Sequence, residues 1–197
     1  APMPGSSVNE QGLLLYTGQG PVFITGCAHP GIVSMADSPI PRFDLLKLNR
    51  YRAVSLQFSR GCPHSCHFCA ISAASQRSHS TRPVEHVVRE IEAQQRKQVF
   101  FVDDNLVADH ARAKELFRAL IPLNVRWVSQ ASISMVRDPE LMELMAASGC
   151  LGNVIGFESL HPDSLREMRK TPNLENMGDQ YEADVAVLKQ YGLQTWA

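Results

Sequence analysis

The chain has 197 residues, of which 44% are hydrophobic and 20% are charged, and its formal net charge is -1 at pH 7. This balance is typical of a soluble globular domain, and the small net charge excludes a strong basic field that would attract nucleic acid. No apolar run reaches the roughly 18 residues that a membrane-spanning helix needs, and no secretory signal is evident at the start.

The first 36 residues are predicted to form a segment of their own. Two short apolar runs, Gly12–Tyr16 and Pro21–Thr25, flank a glycine-containing turn, and this pattern predicts a β-hairpin. Residues 37–50 contain two prolines and show no hydrophobic period, so they are predicted to be a linker. Residues 51–197 make up the predicted main domain.

From residue 51 onwards, short apolar runs alternate with segments of helical periodicity. The predicted strands are residues 53–58, 99–102, 126–131, 153–157 and 194–196, and the predicted helices are residues 83–95, 111–120, 138–148, 162–168 and 175–191. Such alternation predicts a parallel sheet covered by helices. The predicted fold class is therefore α/β, a partial parallel (β/α) barrel with a short N-terminal β-hairpin. Four units and the start of a fifth predict a barrel that is truncated, or incomplete at its C-terminus.

The first strand leads directly into a loop that holds three of the five cysteines, Cys62, Cys66 and Cys69. An odd number of cysteines does not suggest a disulfide framework, and a cluster of reduced thiols favours the cytoplasm. A cubane iron–sulfur cluster that receives three thiolates leaves one iron open to a small molecule. The main alternative is a structural zinc site that adds His64 or His67, although zinc ligands usually come as two separated pairs.

The spacing Cys62-x3-Cys66-x2-Cys69, with the aromatic Phe68 before the last cysteine, resembles the signature of the radical S-adenosylmethionine (SAM) superfamily. The resemblance covers roughly residues 40–197 and implies a partial (β/α) barrel. It implies that the three thiolates hold a 4Fe–4S cluster whose fourth iron is chelated by SAM. It also implies cleavage of SAM to methionine and a 5′-deoxyadenosyl radical, which takes hydrogen from a substrate. Phe68 matches the position that packs near the adenine.

Three polar residues near the ends of later strands are further candidate SAM contacts by the same resemblance. Asp104 belongs to an Asp-Asp-Asn run after the second strand, where the family binds the SAM amino group. Ser129 lies late in the third strand and Glu158 closes the fourth, where the family contacts the ribose. The alternatives are a helix N-cap for Asp104 and capping or an ion pair with Arg166 for Glu158.

The segments Pro41–Asp44 and Tyr51–Ser59 look most like superfamily members whose core follows a cobalamin-binding domain. Cobalamin is therefore a candidate cofactor, although the sequence predicts no cobalamin-binding domain of its own. The resemblance implies a small-molecule substrate and an electron donor such as flavodoxin or ferredoxin. Neither a nucleic-acid partner nor a membrane partner is expected.

Residues 9–34 resemble one segment of the metallo-β-lactamase fold, in which a Gly-Cys-small-His stretch supplies a metal-binding histidine, here His29. The His-x-His-x-Asp-His motif of that fold is missing from the sequence, and one histidine does not assemble a dinuclear centre. His29 and Cys27 are therefore expected to be silent. Three functions remain open: a radical SAM enzyme, a non-catalytic truncated fragment that binds an iron–sulfur cluster or zinc, and, with least support, a metal-dependent hydrolase.

Overall fold

The computed structural model describes residues 51–174 and 180–197, together with residue 43 and the backbone of residues 12–17 and 20–25. Strand β1 (Gly12–Thr17) pairs in antiparallel fashion with strand β2 (Gly20–Thr25). Cys27, His29 and nearly all of the predicted linker lie outside the described residues. Within the described part of the chain, no helix is both long enough and apolar enough to cross a membrane.

The main domain alternates short strands and helices along the chain. In chain order its elements are β3 (Val54–Leu56), β4 (Ser59–Gly61), α1 (Ala70–Ala74), β5 (His79–Thr81), α2 (Val84–Gln94), β6 (Gln98–Phe101), α3 (His110–Leu120), β7 (Arg126–Gln130), α4 (Pro139–Ala147), β8 (Cys150–Val154), α5 (Pro162–Glu167), α6 (Thr171–Leu174), α7 (Tyr181–Gln190) and β9 (Gln194–Trp196). Two short 3₁₀ helices, at 121–123 and 133–137, flank β7.

Five of these strands form one sheet in the order β3-β6-β7-β8-β9, which is also their order along the chain. All four pairings are parallel. Parallel neighbours need a crossover connection, and each of the four connections contains at least one helix. The predicted α/β class with a parallel sheet is therefore confirmed. The carboxyl ends of all five strands lie at the same edge of the sheet, where the loops that follow them meet.

Trp127 of β7 lies at the centre of the hydrophobic core between the sheet and its helices. Its ring stacks on Phe117 of α3 with 5.0 Å between ring centroids, and it meets Phe101 of β6 edge to face at 5.7 Å. The indole Nε1 donates a hydrogen bond to the Ser148 carbonyl oxygen at 3.1 Å. Trp127 thus joins two strands, the helix that covers them and the end of α4.

The Trp127→Phe variant is expected to lower the free energy of unfolding by about 1–3 kcal/mol. The change removes part of a fully buried ring and leaves the Ser148 carbonyl without its indole donor. Chemical denaturation followed by circular dichroism measures the effect. Trp196→Phe is the matched control, because Trp196 is 42% exposed and its replacement should change stability by less than about 0.5 kcal/mol. Equal effects of the two variants would contradict this placement of Trp127.

The strand boundaries differ most from the predicted ones at the first and the fourth strand of the sheet. The fourth sheet strand runs over Cys150–Val154 instead of residues 153–157. Gly149, with φ +90°, ends α4 so tightly that the chain enters β8 at the next residue. The predicted first strand, residues 53–58, is shortened to β3 (Val54–Leu56) in the main sheet, and β4 follows it at Ser59–Gly61 and pairs in antiparallel fashion with β5. This small second sheet was not predicted.

The last predicted helix, residues 175–191, is described only in part. The structure describes α7 from Tyr181 onwards within this range, and α6, which was not predicted, before it. Residues 175–179 lie outside the described part of the chain. The segment from α5 to α6 bends back across the carboxyl ends of the strands, and it therefore contributes to the site described next.

Candidate functional site

A cleft of about 560 Å³ opens at the carboxyl ends of the sheet strands. Its volume lies within the range of small-molecule sites. It is lined by the loop between β4 and α1 and by α1 itself, by the residues after β6, by the end of β7 and the residues after it, and by the end of β8 and the residues after it. The start of α6 with the residue before it, and the residue after β9, complete the lining. The loop contributes Cys62, His64, Cys66, Phe68 and Cys69, and the other regions contribute Asp104, Asn105, Gln130, Ser132, Gly156, Glu158, Lys170 and Asn173, among others.

All three loop cysteines are free thiols that line this cleft, with Cys66 buried and Cys62 and Cys69 half-buried. The Cys69 amide donates a hydrogen bond to the Cys66 carbonyl oxygen at 3.2 Å, which closes a tight turn between them. Burial raises the pKa of the Cys62 and Cys66 thiols, and negative charge on the neighbouring thiols raises it further. The loop therefore gathers three sulfur ligands at one end of the sheet.

The loop is held at both ends. Gly61, which precedes Cys62, has φ +79°, and a Cβ there would lie 2.2 Å from the Ser78 carbonyl oxygen, so only glycine fits this turn. The Ser72 hydroxyl of α1 donates to the His64 carbonyl oxygen at 2.5 Å, which joins the loop to the helix that follows it. The His67 amide donates to the Met168 carbonyl oxygen at 2.9 Å, which attaches the loop to the segment after α5.

Asp103 is a fully buried carboxylate that faces the start of the cysteine loop. Its Oδ2 accepts a hydrogen bond from the Phe58 amide at 3.1 Å, and its Oδ1 accepts from the Ser59 hydroxyl at 2.6 Å and from the Ser59 amide. Burial raises the pKa of Asp103 to about 6, and these hydrogen bonds oppose the shift. The sequence singled out Asp104 and not Asp103, because nothing in the sequence shows which of two adjacent carboxylates is buried.

Asp104 lines the cleft, and its Oδ2 accepts a hydrogen bond from the Gly61 amide at 3.0 Å. The helix N-cap considered for it is wrong, since α3 begins later and the side chain of Asp109 caps it. Asn105 continues the run: its Nδ2 donates to the Ser132 hydroxyl at 2.8 Å, which ties the end of β6 to the end of β7. The Asp-Asp-Asn run therefore positions the cysteine loop from the neighbouring strand.

Glu158 lies in the cleft wall but does not close a strand, because β8 already ends at Val154. Its Oε1 lies 3.0 Å from the Lys170 Nζ, whereas Arg166, the partner considered from the sequence, binds Asp163 at 2.5 Å. The turn after α5 returns the chain to the cleft and brings Lys170 there. The same Nζ lies 5.6 Å from the ring centroid of Phe68, which is 53% exposed.

Ser129 does not line the cleft. Its buried hydroxyl accepts a hydrogen bond from the Asn153 Nδ2 at 2.8 Å. Side chains alternate between the faces of a strand, so Ser129 shares the face of the buried Trp127, and the next residue, Gln130, lines the cleft. Asn173 was not predicted; its Nδ2 donates to the Gly156 carbonyl oxygen at 3.0 Å and so fixes the cleft wall.

The donor set fits an iron–sulfur cluster by its chemistry. Among the described residues, no three His, Cys, Asp or Glu side chains converge closely enough to hold one metal ion. A 4Fe–4S cubane has a different requirement, because each thiolate binds its own iron at a separate corner. Three free thiols on one loop, beside a cleft with room for a further ligand, meet that requirement.

Comparison with known proteins identifies a family and several relatives. The model of the radical SAM superfamily matches residues 56–180. The bacteriochlorophyllide d C-12(1)-methyltransferase of Chlorobaculum tepidum is 35% identical over 140 residues, which cover 68% of this chain and 30% of that enzyme. The hopanoid C-2 methylase of Rhodopseudomonas palustris is 30% identical over 146 residues, which cover 69% of this chain and 28% of that enzyme. The chain thus spans less than a third of these curated relatives.

Solved structures share the fold. The radical SAM methyltransferase TsrM from Kitasatospora setae, with cobalamin and a 4Fe–4S cluster bound, matches 92% of this chain and 40% of its own, with a TM-score of 0.68 and 22% identity. The cobalamin-dependent SAM radical enzyme OxsB, with aqua-cobalamin bound, matches 92% of this chain and 28% of its own, with a TM-score of 0.67 and 18% identity.

Proposed function

The chain belongs to the radical SAM superfamily, and we propose that it is the core of a radical SAM enzyme whose 4Fe–4S cluster is held by Cys62, Cys66 and Cys69. The observation that carries this proposal is the convergence of the three thiols on one cleft at the strand ends. When bound, the cluster supplies the electron that cleaves SAM into methionine and a 5′-deoxyadenosyl radical. The chain's own residues hold the ligands and shape the cleft.

Three cleft residues are proposed to hold SAM. Phe68 offers an exposed ring face to the adenine, and Asp104 and Glu158 offer carboxylates to the amino group and the ribose hydroxyls. Carboxylates accept hydrogen bonds from both kinds of donor. Ser129 is given no such role here, because its hydroxyl is buried behind the cleft wall.

The sheet supports a partial (β/α) barrel for residues 51–197. Residues 1–36 as a separate segment and residues 37–50 as a linker complete the proposed division of the chain. Crossovers between parallel strands are almost always right-handed, so sheet strands in sequential order place all their helices on one face. A singly covered parallel sheet of this kind curves around its open face. The cleft at the carboxyl ends matches the position of the active sites of barrel enzymes.

The reaction class is proposed to be methyl transfer to a small molecule, with cobalamin as an additional cofactor. Relatives at 30% and 35% identity are named a methylase and a methyltransferase, and the TsrM and OxsB structures contain cobalamin. No cobalamin ligand is assigned among the described residues. A reducing compartment such as the cytoplasm, with flavodoxin or ferredoxin as electron donor, completes the proposal.

Anaerobic reconstitution with iron and sulfide tests the proposal. About four irons per chain and a brown, oxygen-sensitive protein are expected, and incubation with SAM and a reductant should yield 5′-deoxyadenosine. Stoichiometric zinc without iron in anaerobically purified protein would contradict the cluster assignment. A stable cluster without any SAM cleavage would instead support a non-catalytic iron–sulfur protein.

A further inference from the structure

Lys170 places a positive charge beside the cysteine loop. Its Nζ lies 5.6 Å from the ring centroid of Phe68, the residue next to Cys69, and 3.0 Å from the Glu158 Oε1. The lysine side chain is only 17% exposed. A charge that is largely withdrawn from water is screened less than a charge on the surface, so it acts more strongly on its neighbours.

The backbone of Lys170 is fixed between α5 and α6. Its amide donates to the Leu165 carbonyl oxygen at 2.9 Å, and its own carbonyl oxygen accepts from the Asn173 amide at 3.1 Å. The preceding residue, Arg169, has φ +52°, which turns the chain back towards the cleft. The backbone that carries the Lys170 side chain is therefore held by hydrogen bonds at both its amide and its carbonyl group.

The ion pair lies directly against the residues that follow β8. A Cβ on Gly156 would lie 2.4 Å from the Glu158 Oε1 and 2.9 Å from the Lys170 Nζ, so the glycine leaves the space that both groups occupy. Glu158 itself has φ +63°, an uncommon conformation for a residue other than glycine. The local backbone thus accommodates the pair at this place in the cleft.

The same segment is attached to the cysteine loop. The His67 amide donates to the carbonyl oxygen of Met168, two residues before Lys170, at 2.9 Å. Lys170 and Cys66 also line the same cleft. The ammonium group therefore lies in the wall of the cleft that holds the residues proposed to bind the cluster.

We propose that the positive charge of Lys170 raises the reduction potential of the cluster bound to the loop. This inference rests on the proposed function. Reduction adds one electron from an external reductant to a cluster whose thiolates are already anionic, and no bond forms or breaks in that step. A fixed positive charge nearby stabilises the reduced cluster more than the oxidised one. Glu158 acts in the opposite direction, because it partly neutralises the ammonium group.

A redox titration of the reconstituted protein with dithionite, followed by electron paramagnetic resonance and carried out without SAM, tests the proposal. The Lys170→Met variant should show a potential shifted to more negative values, and the Glu158→Gln variant should show a shift to more positive values. The Lys170→Arg variant keeps the charge and should stay close to the wild-type potential. A merely structural role of the ion pair would move the Lys170→Met and Glu158→Gln variants in the same direction.

Lys114→Met is the matched control, because Lys114 on α3 is also 17% exposed and is also paired with a carboxylate, Asp138, at 2.8 Å. The reduction potential of the cluster in the Lys114→Met variant should equal that in the wild-type protein. An unchanged potential in Lys170→Met with a full cluster would overturn this inference and leave the proposed function intact, whereas a wild-type chain without any cluster would overturn the proposed function. If Lys170→Met fails to assemble a cluster, the absence of a positive shift in Glu158→Gln overturns the inference.

Discussion

The Cys62→Ala, Cys66→Ala and Cys69→Ala variants should each lose the cluster, with iron per chain reduced on the order of tenfold after anaerobic reconstitution. The three thiols lie on one short loop, so removal of any one leaves a cubane with only two protein ligands. Iron and sulfide analysis, together with the visible absorbance of the cluster, measures the loss. Circular dichroism of the unloaded chains should show that the fold survives each change.

Cys150→Ala is the control for this series. Cys150 starts β8 and is buried, and its Sγ lies 3.8 Å from the Gly152 carbonyl oxygen, outside the cleft lining. Burial raises the pKa of its thiol to about 12, so it remains protonated at neutral pH. The variant should keep its iron, and cluster loss on this change would show that the ligand set is wrongly assigned.

The zinc alternative makes a different prediction for the same loop. A single ion would need a histidine, His64 or His67, as its fourth ligand. The His64→Ala and His67→Ala variants would then lose metal as completely as the cysteine variants. For the cluster, whose fourth iron is left to SAM, both histidine variants should keep their iron.

The alternation of strands and helices was predictable because each helix buries one face. The apolar spacing predicted α3 and α4 to within a residue or two at each end. Local signals were sufficient for their limits: the Asp138 carboxylate accepts from the Leu141 amide at 3.1 Å at the start of α4, and Gly149 adopts φ +90° after its end. Such interactions depend on neighbours in the sequence, so the sequence reveals them.

The parts that the sequence missed depend on distant contacts. β4 and β5 have only three residues each and no hydrophobic pattern, and their pairing depends on the loop that they enclose. The Lys170–Glu158 pair forms because the chain turns back after α5, whereas the nearer Arg166 pairs with Asp163 one helical turn away. Sequence spacing favours the local partner, and only the fold reveals the other.

The role of Asp103 also depends on contacts that are distant in the sequence, and its replacement is expected to have a large effect on the cluster and on stability. The Asp103→Ala variant should lose the cluster, because the carboxylate fixes the amides of Phe58 and Ser59 just before the cysteine loop. At neutral pH it should also lower the free energy of unfolding of the unloaded chain by about 2 kcal/mol, since three buried donors lose their acceptor while one buried charge is removed. Iron content and chemical denaturation measure the two effects.

The loss of stability in the Asp103→Ala variant depends on pH. Burial raises the pKa of Asp103 to about 6, above the usual value of about 4, so the folded chain binds this proton more tightly than the unfolded chain. The contribution of Asp103 to the free energy of unfolding is therefore fully present below pH of about 4, and it is lost as the pH rises through 6. The difference between wild type and Asp103→Ala should be larger at pH 5 than at pH 7.5, by about 1 kcal/mol.

Asp109→Ala separates the loop contact from a general loss of an acidic residue. Asp109 is exposed and caps α3 by accepting from the Arg112 amide at 3.1 Å, so its replacement should cost about 1 kcal/mol of stability. It makes no hydrogen bond to the cysteine loop among the described contacts, and the variant should keep its cluster. If Asp103→Ala retained its iron as fully as Asp109→Ala, the buried carboxylate would not be what holds the loop in place.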